Sequence, residues 1–253
     1  MAEGSPKRAL LIAGPTASGK SALALRRARE RERHGVIINA DALQVYGELR
    51  ILSARPGADE EAQVPHRLYG HVSGRESYSV ARWLADARVA ISAAWRQGKV
   101  PIVTGGTGLY FKALDEGLAE VPEISADVRA HWRSYEGDLH GELRRIDPAI
   151  AARLSPNDRQ RLTRALEVAT GTGKSLLVWQ EEVRSSAILA GAEVERMFLD
   201  VPRADLYGRA EARFDKMVAA GALDEVAALE GYDLRLPVMK AIGVPELTAH
   251  VRG

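Results

Sequence analysis

The sequence predicts an α/β fold: a P-loop-type, mainly parallel sheet flanked by helices, with an inserted all-helical subdomain. Three observations point there. Short apolar runs alternate with segments of helical periodicity, as in doubly wound sheets. The stretch "GPTASGKS" (residues 14–21) stands between the first such run and the first such helix, on the pattern GxxxxGK[ST]. Residues 123–190 show no strand pattern, so a long helical section interrupts the alternation.

Each element has its own signal. The apolar runs "RALLIAG" (8–14), "VIINAD" (36–41), "VPIVTGG" (100–106) and "VERMFLDV" (194–201) read as buried parallel strands. "SALALRRARERERHG" is amphipathic and stops at Gly35. "SVARWLADARVAISAAWRQG" sets Ala81, Leu84, Ala85, Val89, Ile91 and Trp95 at roughly helical spacing and stops at Gly98. "ADLYGRAEARFDKMVAAGALDEVAAL" reads as one closing helix. Breaks near Pro148, Pro156 and Gly171 divide the helical section. The expected division is a catalytic core of residues 1–122 and 191–253 around an insert of residues 123–190.

Composition sets the bounds. A chain of 253 residues, 46% hydrophobic and 27% charged, suits an ordinary globular protein. A net charge of +1 points neither toward nor away from nucleic acid. The absence of cysteine excludes disulfides and thiolate metal sites and suits a reducing compartment. The N-terminal apolar stretch is too short for a signal peptide or a membrane span. A cytoplasmic protein with no membrane partner is the expectation.

The loop is the strongest chemical signal. Amides around Ala17, Ser18, Gly19 and Lys20 are able to converge on an anion, and the following helix adds its positive end. Lys20 supplies a mobile cation, and Ser21 offers a hydroxyl to Mg²⁺. The loop alone permits nucleotide binding, ATP included, without requiring it. A second fragment, "GTGKS" (171–175), lacks the first glycine of the full pattern, which falls on Val168. It reads as a helix terminus with a turn.

Beside the loop, "NADALQVY" (39–46) places Asp41 after an apolar strand. Three roles stay open for it: a metal-holding carboxylate, a general base facing a nucleophile, and a cap of the following turn. "TGGTGLY" (104–110) ends the third strand in glycines that permit close backbone approach, with Thr107 near the next helix start as cap or ligand. Arg209 and Arg213 lie four apart on one helix face, which by itself is a solvated pair. Residues 144–164 hold six arginines against two aspartates, either a solvated face or an anionic-ligand surface.

In order along the chain, "GPTASGKS", "NADALQVY", "TGGTGLY", "SPNDRQRLTRALEVATGTGKSL", "AEARFDKMVAAGALDEV" and "MKAIGVPEL" resemble the bacterial tRNA dimethylallyltransferase family, also called tRNA isopentenylpyrophosphate transferases. The likeness spans nearly the whole chain, and the helical signature of residues 156–174 is far more specific than the loop.

The resemblance implies transfer of a dimethylallyl group from dimethylallyl diphosphate to the exocyclic amine of the adenine 3′ of the anticodon. The tRNAs concerned read U-initial codons. Gly14, Pro15, Thr16, Ala17, Ser18, Gly19, Lys20 and Ser21 would bind the diphosphate, with Mg²⁺ at Ser21. Asp41 would take the amine proton, Arg213 would support the diphosphate, and Thr107 would sit near the substrate base. Contacts to the tRNA anticodon stem-loop would come from Asp41, Ala42, Leu43, Gln44, Thr107 and Arg129, and from Gln160, Arg161, Leu162, Thr163 and Arg164. A monomer is expected.

The chain departs from the family at three places. Ala42 stands where serine is usual, and "LSARP" (52–56) where "GTAKP" is usual, with Ser53 and Arg55 as replacements. The sequence ends at Gly253, where family members continue into a basic helical segment. That ending is expected to weaken the tRNA grip more than the diphosphate site. The competing readings are a P-loop small-molecule kinase, an adenylate prenyltransferase and a nonenzymatic switch. The missing acid at the end of the third strand and the inserted helical signature count against the first, the basic insert against the second, and no switch-like element can be read for the third.

Overall fold

The computed structural model describes residues 6–30, 34–182 and 187–252. The chain forms two compact units, Met1–Asp115 with Ile188–Gly253, and Glu116–Ala187.

The first unit is built on a parallel sheet of β1 (Arg8–Ala13), β2 (Val36–Asn39), β3 (His66–Arg67), β4 (Pro101–Gly105) and β5 (Glu193–Phe198), in the order β3-β2-β4-β1-β5. β4 lies between β1 and β2, pairing Leu10 with Ile102 on one side and Ile37 with Ile102 on the other. Central strands in such a sheet have both faces covered, and β2 and β4 are buried throughout. β5 pairs with β1 from Arg8↔Glu193 to Ala13↔Phe198 and is largely exposed. β3 carries no signal in the sequence, since two residues are too few for any periodicity.

Helices α1 (Lys20–Arg29), α2 (Ala58–Gln63), α3 (Val80–Arg96) and α4 (Gly108–Glu116) follow the loops of the sheet. α1 packs Ala24 and Ala28 against Leu10, Ile12, Ile37 and Ile102. The buried face of α3 is Trp83, Leu84, Ala87, Ile91 and Ala94, which corrects the expected stripe: Ala81, Ala85 and Val89 face solvent. The face turns because Trp83 is drawn in. Its indole stacks on Tyr110 at 4.1 Å and donates to the Asn39 carbonyl at 2.9 Å.

The second unit is helical among its described residues: α5 (Ala126–Ser134), α6 (Leu139–Ile146), α7 (Pro148–Ala151), α8 (Arg159–Thr172) and α9 (Leu176–Glu182). Trp132, Leu139, Leu143, Ile150, Leu162, Ala165 and Leu166 form its core. Asp138, Asp147 and Asp158 each accept a hydrogen bond from a first-turn amide of the helix they precede. Pro148 opens α7, as prolines do at a first helical position. The break expected near Gly171 falls two residues on, at Gly173. Gly171 itself lies in the last turn of α8, where a Cβ would come 2.9 Å from Ile124 Cγ2. The helix ends at Thr172 with Gly173 in the left-handed C-cap, so "GTGKS" is a helix terminus and a turn.

Back in the first unit, the single closing helix expected from the sequence is two: α10 (Arg203–Ala219) and α11 (Ala222–Ala227). The chain breaks at Gly221, whose φ of 101° takes it out of helix. With α12 (Val244–Arg252), α11 closes a separate core of Val45, Tyr46, Leu49, Val72, Val226, Leu229, Val238, Val244 and Leu247. That core anchors the segment around residues 43–52, which borders the site.

Candidate active site

The carboxyl ends of β1, β2 and β4 meet at one place, where open parallel sheets put their sites. From β1 the chain enters the loop of residues 14–19. Ala17 and Gly19 both take left-handed conformations, with φ of 64° and 91°. For alanine this is an uncommon backbone, of the kind that turns successive amides into an anion-binding hollow. α1 then begins at Lys20, with the positive end of its dipole at the hollow. Lys20 Nζ donates to the Pro15 carbonyl at 3.1 Å and so lies across the loop.

Beside the loop is a cavity of about 300 Å³. Ala17, Gly19, Lys20 and Ser21 line it on one side, Thr104 at the sheet, and Arg209 and Arg213 from α10. Ala22, Leu25, Ile37, Ala54, Pro56, Glu60, His66 and Tyr69 complete the wall, giving it an apolar part next to the cationic one. Of this pair Arg213 is half-buried, while Arg209 lines the cavity from an exposed position. Gly14, Pro15, Thr16 and Ser18 support the loop without lining the cavity.

Burial acts on the cations. It pulls Lys20 below the usual lysine range; Asp41 opposes that shift and Arg213 adds to it. Burial likewise lowers Arg213, with Asp41 opposing. Arg213 remains charged, as guanidinium does in proteins. Two partly desolvated cations near one carboxylate form a site with unmet demand for negative charge. Burial also raises the Tyr69 hydroxyl, so it stays protonated and able to donate. His66 is pulled down by burial while its Nδ1 bonds the Val64 carbonyl.

Asp41 follows β2 by two residues and is held rigidly. Its backbone N–H donates to Asn39 Oδ1 and its carbonyl accepts from Asn39 Nδ2, each at 2.9 Å. Its Oδ1 accepts from the amides of Leu43 at 2.9 Å and Gln44 at 3.4 Å, an Asx turn. Oδ2 turns toward the loop, for a Cβ added at Gly106 would lie 3.8 Å from it and 3.6 Å from the Gly14 carbonyl. Gly105 lets β4 approach β2, since a Cβ there would be 2.1 Å from the Ala40 carbonyl. Asp41 thus caps a turn and, without lining the cavity, lies near enough for its charge to act on Lys20 and Arg213.

Thr107 does not cap α4 with its side chain. Its Oγ1 accepts from the Ala42 amide at 3.0 Å, and its own N–H donates to Ala40, tying the ends of β2 and β4 together. Gln44 Nε2 donates to the carbonyls of Ser53 and Ala54 at 2.8 and 3.1 Å. Arg55 is a structural lock: it donates to the Tyr46 carbonyl at 2.9 Å, and Ser53 Oγ bonds the Leu49 carbonyl. Leu43 is half-buried against the core closed by α11 and α12.

The remaining expected contacts lie in the helical unit. Arg129 is half-buried on α5; Gln160, Arg161 and Arg164 are exposed on α8, and Thr163 is half-buried. Leu162 is a correction. It is 1% exposed in the core of that unit, so it packs and is closed to a ligand. Asn39, Tyr69 and Thr104 also belong to the site or its support. Asn39 and Thr104 carry a sequence signal, a polar residue ending an otherwise apolar strand; Tyr69 carries none.

Among the described residues no group of three or more His, Cys, Asp or Glu is placed to hold a metal ion. Ser21 and Thr104 are among the residues that line the cavity, and Thr104 Oγ1 is buried without a hydrogen-bond partner. A single hydroxyl such as that of Ser21 fits Mg²⁺, which takes few protein ligands and fills its octahedron with water and phosphate oxygens.

Comparison with known proteins gives one consistent answer. The family model for IPP transferase matches residues 44–253, and that for isopentenyl transferase matches residues 7–75. Curated tRNA dimethylallyltransferases of Methylobacterium nodulans and Azorhizobium caulinodans are 53% and 52% identical, over 97% of this chain and 82% and 80% of theirs. A eukaryotic dimethylallyltransferase acting on tRNA, of known crystal structure, superposes with a TM-score of 0.81 at 28% identity, over 97% of this chain and 64% of its own. The full-length tRNA isopentenylpyrophosphate transferase of Bacillus halodurans superposes with a TM-score of 0.65 at 31% identity, over 98% and 78%. With a family model covering most of its length and relatives above half identity, this chain belongs to the IPP transferase family.

Proposed function

We propose that this chain transfers a dimethylallyl group from dimethylallyl diphosphate to the exocyclic amine of a tRNA adenine, releasing diphosphate. Its relatives are named for dimethylallyl transfer to tRNA. The observation that carries the reading is the pairing of a cationic, partly desolvated cradle with a single fixed carboxylate oxygen beside it.

The reaction breaks the C1–O bond of the allylic diphosphate and forms a C1–N bond to the amine. The bonding pair leaves with the diphosphate, and the amine proton goes to Asp41 Oδ2. Loop amides, Lys20, Arg209 and Arg213 bind the diphosphate and stabilise the charge that grows on its leaving oxygen. Ala22, Leu25, Ile37, Ala54 and Pro56 accept the five-carbon tail and exclude water from an electrophile that water would consume. Adenine amine is a weak nucleophile, so a base at Asp41 removes the proton as the bond forms. Mg²⁺, held through Ser21 and the substrate's oxygens, would add charge neutralisation at the diphosphate.

The adenine is the one 3′ of the anticodon, in tRNAs reading U-initial codons. The reacting base must leave its stack, which requires a grip on the stem-loop. Arg129, Gln160, Arg161, Thr163 and Arg164 of the helical unit supply it, with Gln44 and Thr107 near the base. The enzyme works as a cytoplasmic monomer. Incubation with labelled dimethylallyl diphosphate and unmodified tRNA should label the tRNA at that adenine. Label transfer from ATP in its place, with none from the allylic diphosphate, would make the protein a kinase.

A further inference from the structure

Glu167, on α8, has a carboxylate that is almost entirely buried, and it is shared by two arginines. Arg133 of α5 donates from Nε to Oε1 at 2.9 Å, and Arg164 reaches Oε2 from one terminal nitrogen at 3.5 Å. Their side chains are 66% and 44% exposed, against 4% for the glutamate. Buried charge is a poor way to stabilise a helix pair, since an apolar side chain of like size does as well or better. One arginine would suffice to neutralise the carboxylate. The second leaves the cluster with a surplus positive charge at the surface.

The geometry of the arginines gives that surplus a direction. Arg133 bonds Glu167 through Nε alone, which leaves its two terminal nitrogens for another pair of oxygens. Gln160, Arg164 and Glu167 follow one another at i, i+4 and i+7, so they share a stripe of α8. On α5, Arg129 and Arg133 are likewise four apart. The stripe of α8 and Arg133 therefore converge at Glu167.

We infer that Arg133 and Arg164, set at a fixed spacing by buried Glu167, form a phosphodiester-binding fork for the RNA backbone, with Arg133 a contact and Glu167 a positioning residue. The inference rests on the proposed tRNA substrate. Planar guanidinium suits it, because a fork held at one nitrogen still offers paired donors to a phosphate. A flexible lysine would not be pre-set in this way.

The test is binding of an unmodified tRNA transcript to the full chain across a salt series. Arg133→Gln keeps a donor for Glu167 and so spares the packing, while removing the charge and the outward fork. It should weaken tRNA binding several-fold and reduce the slope of log K against log salt by roughly 0.7–0.9, one phosphate contact. Glu167→Gln separates two explanations by sign. If Glu167 positions the arginines, affinity falls; if it is merely a negative charge near RNA, affinity rises. Dimethylallyl diphosphate binding should be unchanged in both variants. An unchanged slope in Arg133→Gln, or tighter tRNA binding by Glu167→Gln, overturns the fork. Wild-type protein that binds the diphosphate but no tRNA at any salt overturns the proposed substrate itself.

Discussion

Asn39 holds the main chain of Asp41 at both ends, its Oδ1 accepting from the Asp41 N–H and its Nδ2 donating to the Asp41 carbonyl, each at 2.9 Å. Nδ2 also donates to the Leu68 carbonyl at 3.0 Å, so the residue that fixes the carboxylate ties it to the loop after β3 as well. Asn39 is fully buried, and its own carbonyl accepts from Trp83. The Asp41 carboxylate therefore sits on a network with little freedom to adjust.

Asn39→Ala should act on catalysis through Asp41. Removing the side chain leaves buried backbone groups unpaired, which costs about 1–3 kcal/mol of stability. The displaced carboxylate should lower kcat by roughly tenfold to a hundredfold, with KM for the allylic diphosphate little changed. Steady-state kinetics beside a denaturation curve separate the two effects. A stability loss with full kcat would show that Asp41 keeps its place unaided.

Asp41→Asn keeps the size of the side chain and its turn-capping oxygen while removing the base. With the carboxylate acting on the amine as proposed, transfer should be abolished and dimethylallyl diphosphate affinity nearly kept. Equilibrium binding and single-turnover transfer measure the two. Lost diphosphate affinity with turnover retained at saturation would make Asp41 a ligand of the metal–diphosphate complex.

Lys20 gives the site a pH dependence whose sign follows from its lowered pKa. A bound diphosphate favours the charged ammonium, so the complex has the higher pKa and affinity falls as pH rises through that of the free enzyme. The fall should begin below the ordinary lysine value of 10.5. Titrations from neutral to alkaline pH should show it in wild type, and Lys20→Arg, which stays charged, should flatten it. A decline of equal size in the arginine variant would assign the titration to another group.

These dependences show how unevenly the sequence announces a site. The loop was legible because GxxxxGKS fixes a conformation as well as a chemistry, and Asp41 because it ends an apolar run. The face of α3 was not, because Trp83 is pulled inward by a stack on Tyr110 and a bond to Asn39, both remote in sequence. Leu162 was read into a contact stretch by its neighbours, although helical periodicity turns it into the core between exposed Arg161 and Arg164. Arg209 carries no motif of its own, and only the cavity shows where its helix face points.

Glu225 bears on the part of the cavity wall formed by Ala54 and Pro56. Its carboxylate accepts from three successive amides: Arg50 at 2.5 Å and Ile51 at 2.7 Å on Oε1, and Leu52 at 2.8 Å on Oε2. The loop so held continues to Ser53 and Ala54, whose carbonyls orient Gln44, and to Pro56 in the cavity wall. Glu225→Ala should cost about 2 kcal/mol of stability and raise KM for both substrates, with Glu225→Gln intermediate because one acceptor oxygen survives. Unchanged melting and KM in the alanine variant would show that the surrounding core holds the loop by itself.

Arg209 decides whether α10 serves the site with one cation or two. Two of its three arginines, Arg209 and Arg213, line the cavity, and Arg213 is the more enclosed. A charge-assisted bond to a diphosphate oxygen is worth about 1.5–3 kcal/mol, so Arg209→Ala should weaken dimethylallyl diphosphate binding roughly tenfold or more. Arg213→Ala should weaken it further and also lower kcat, because a desolvated cation stabilises growing charge better than a wet one. Lysine at 209 should restore part of the affinity through charge alone, without the paired donors of guanidinium. Calorimetric titration of the three variants tests the ranking. An alanine at 209 that binds the diphosphate as wild type does would return that residue to the solvated surface and leave Arg213 as the sole arginine of α10 that serves the diphosphate.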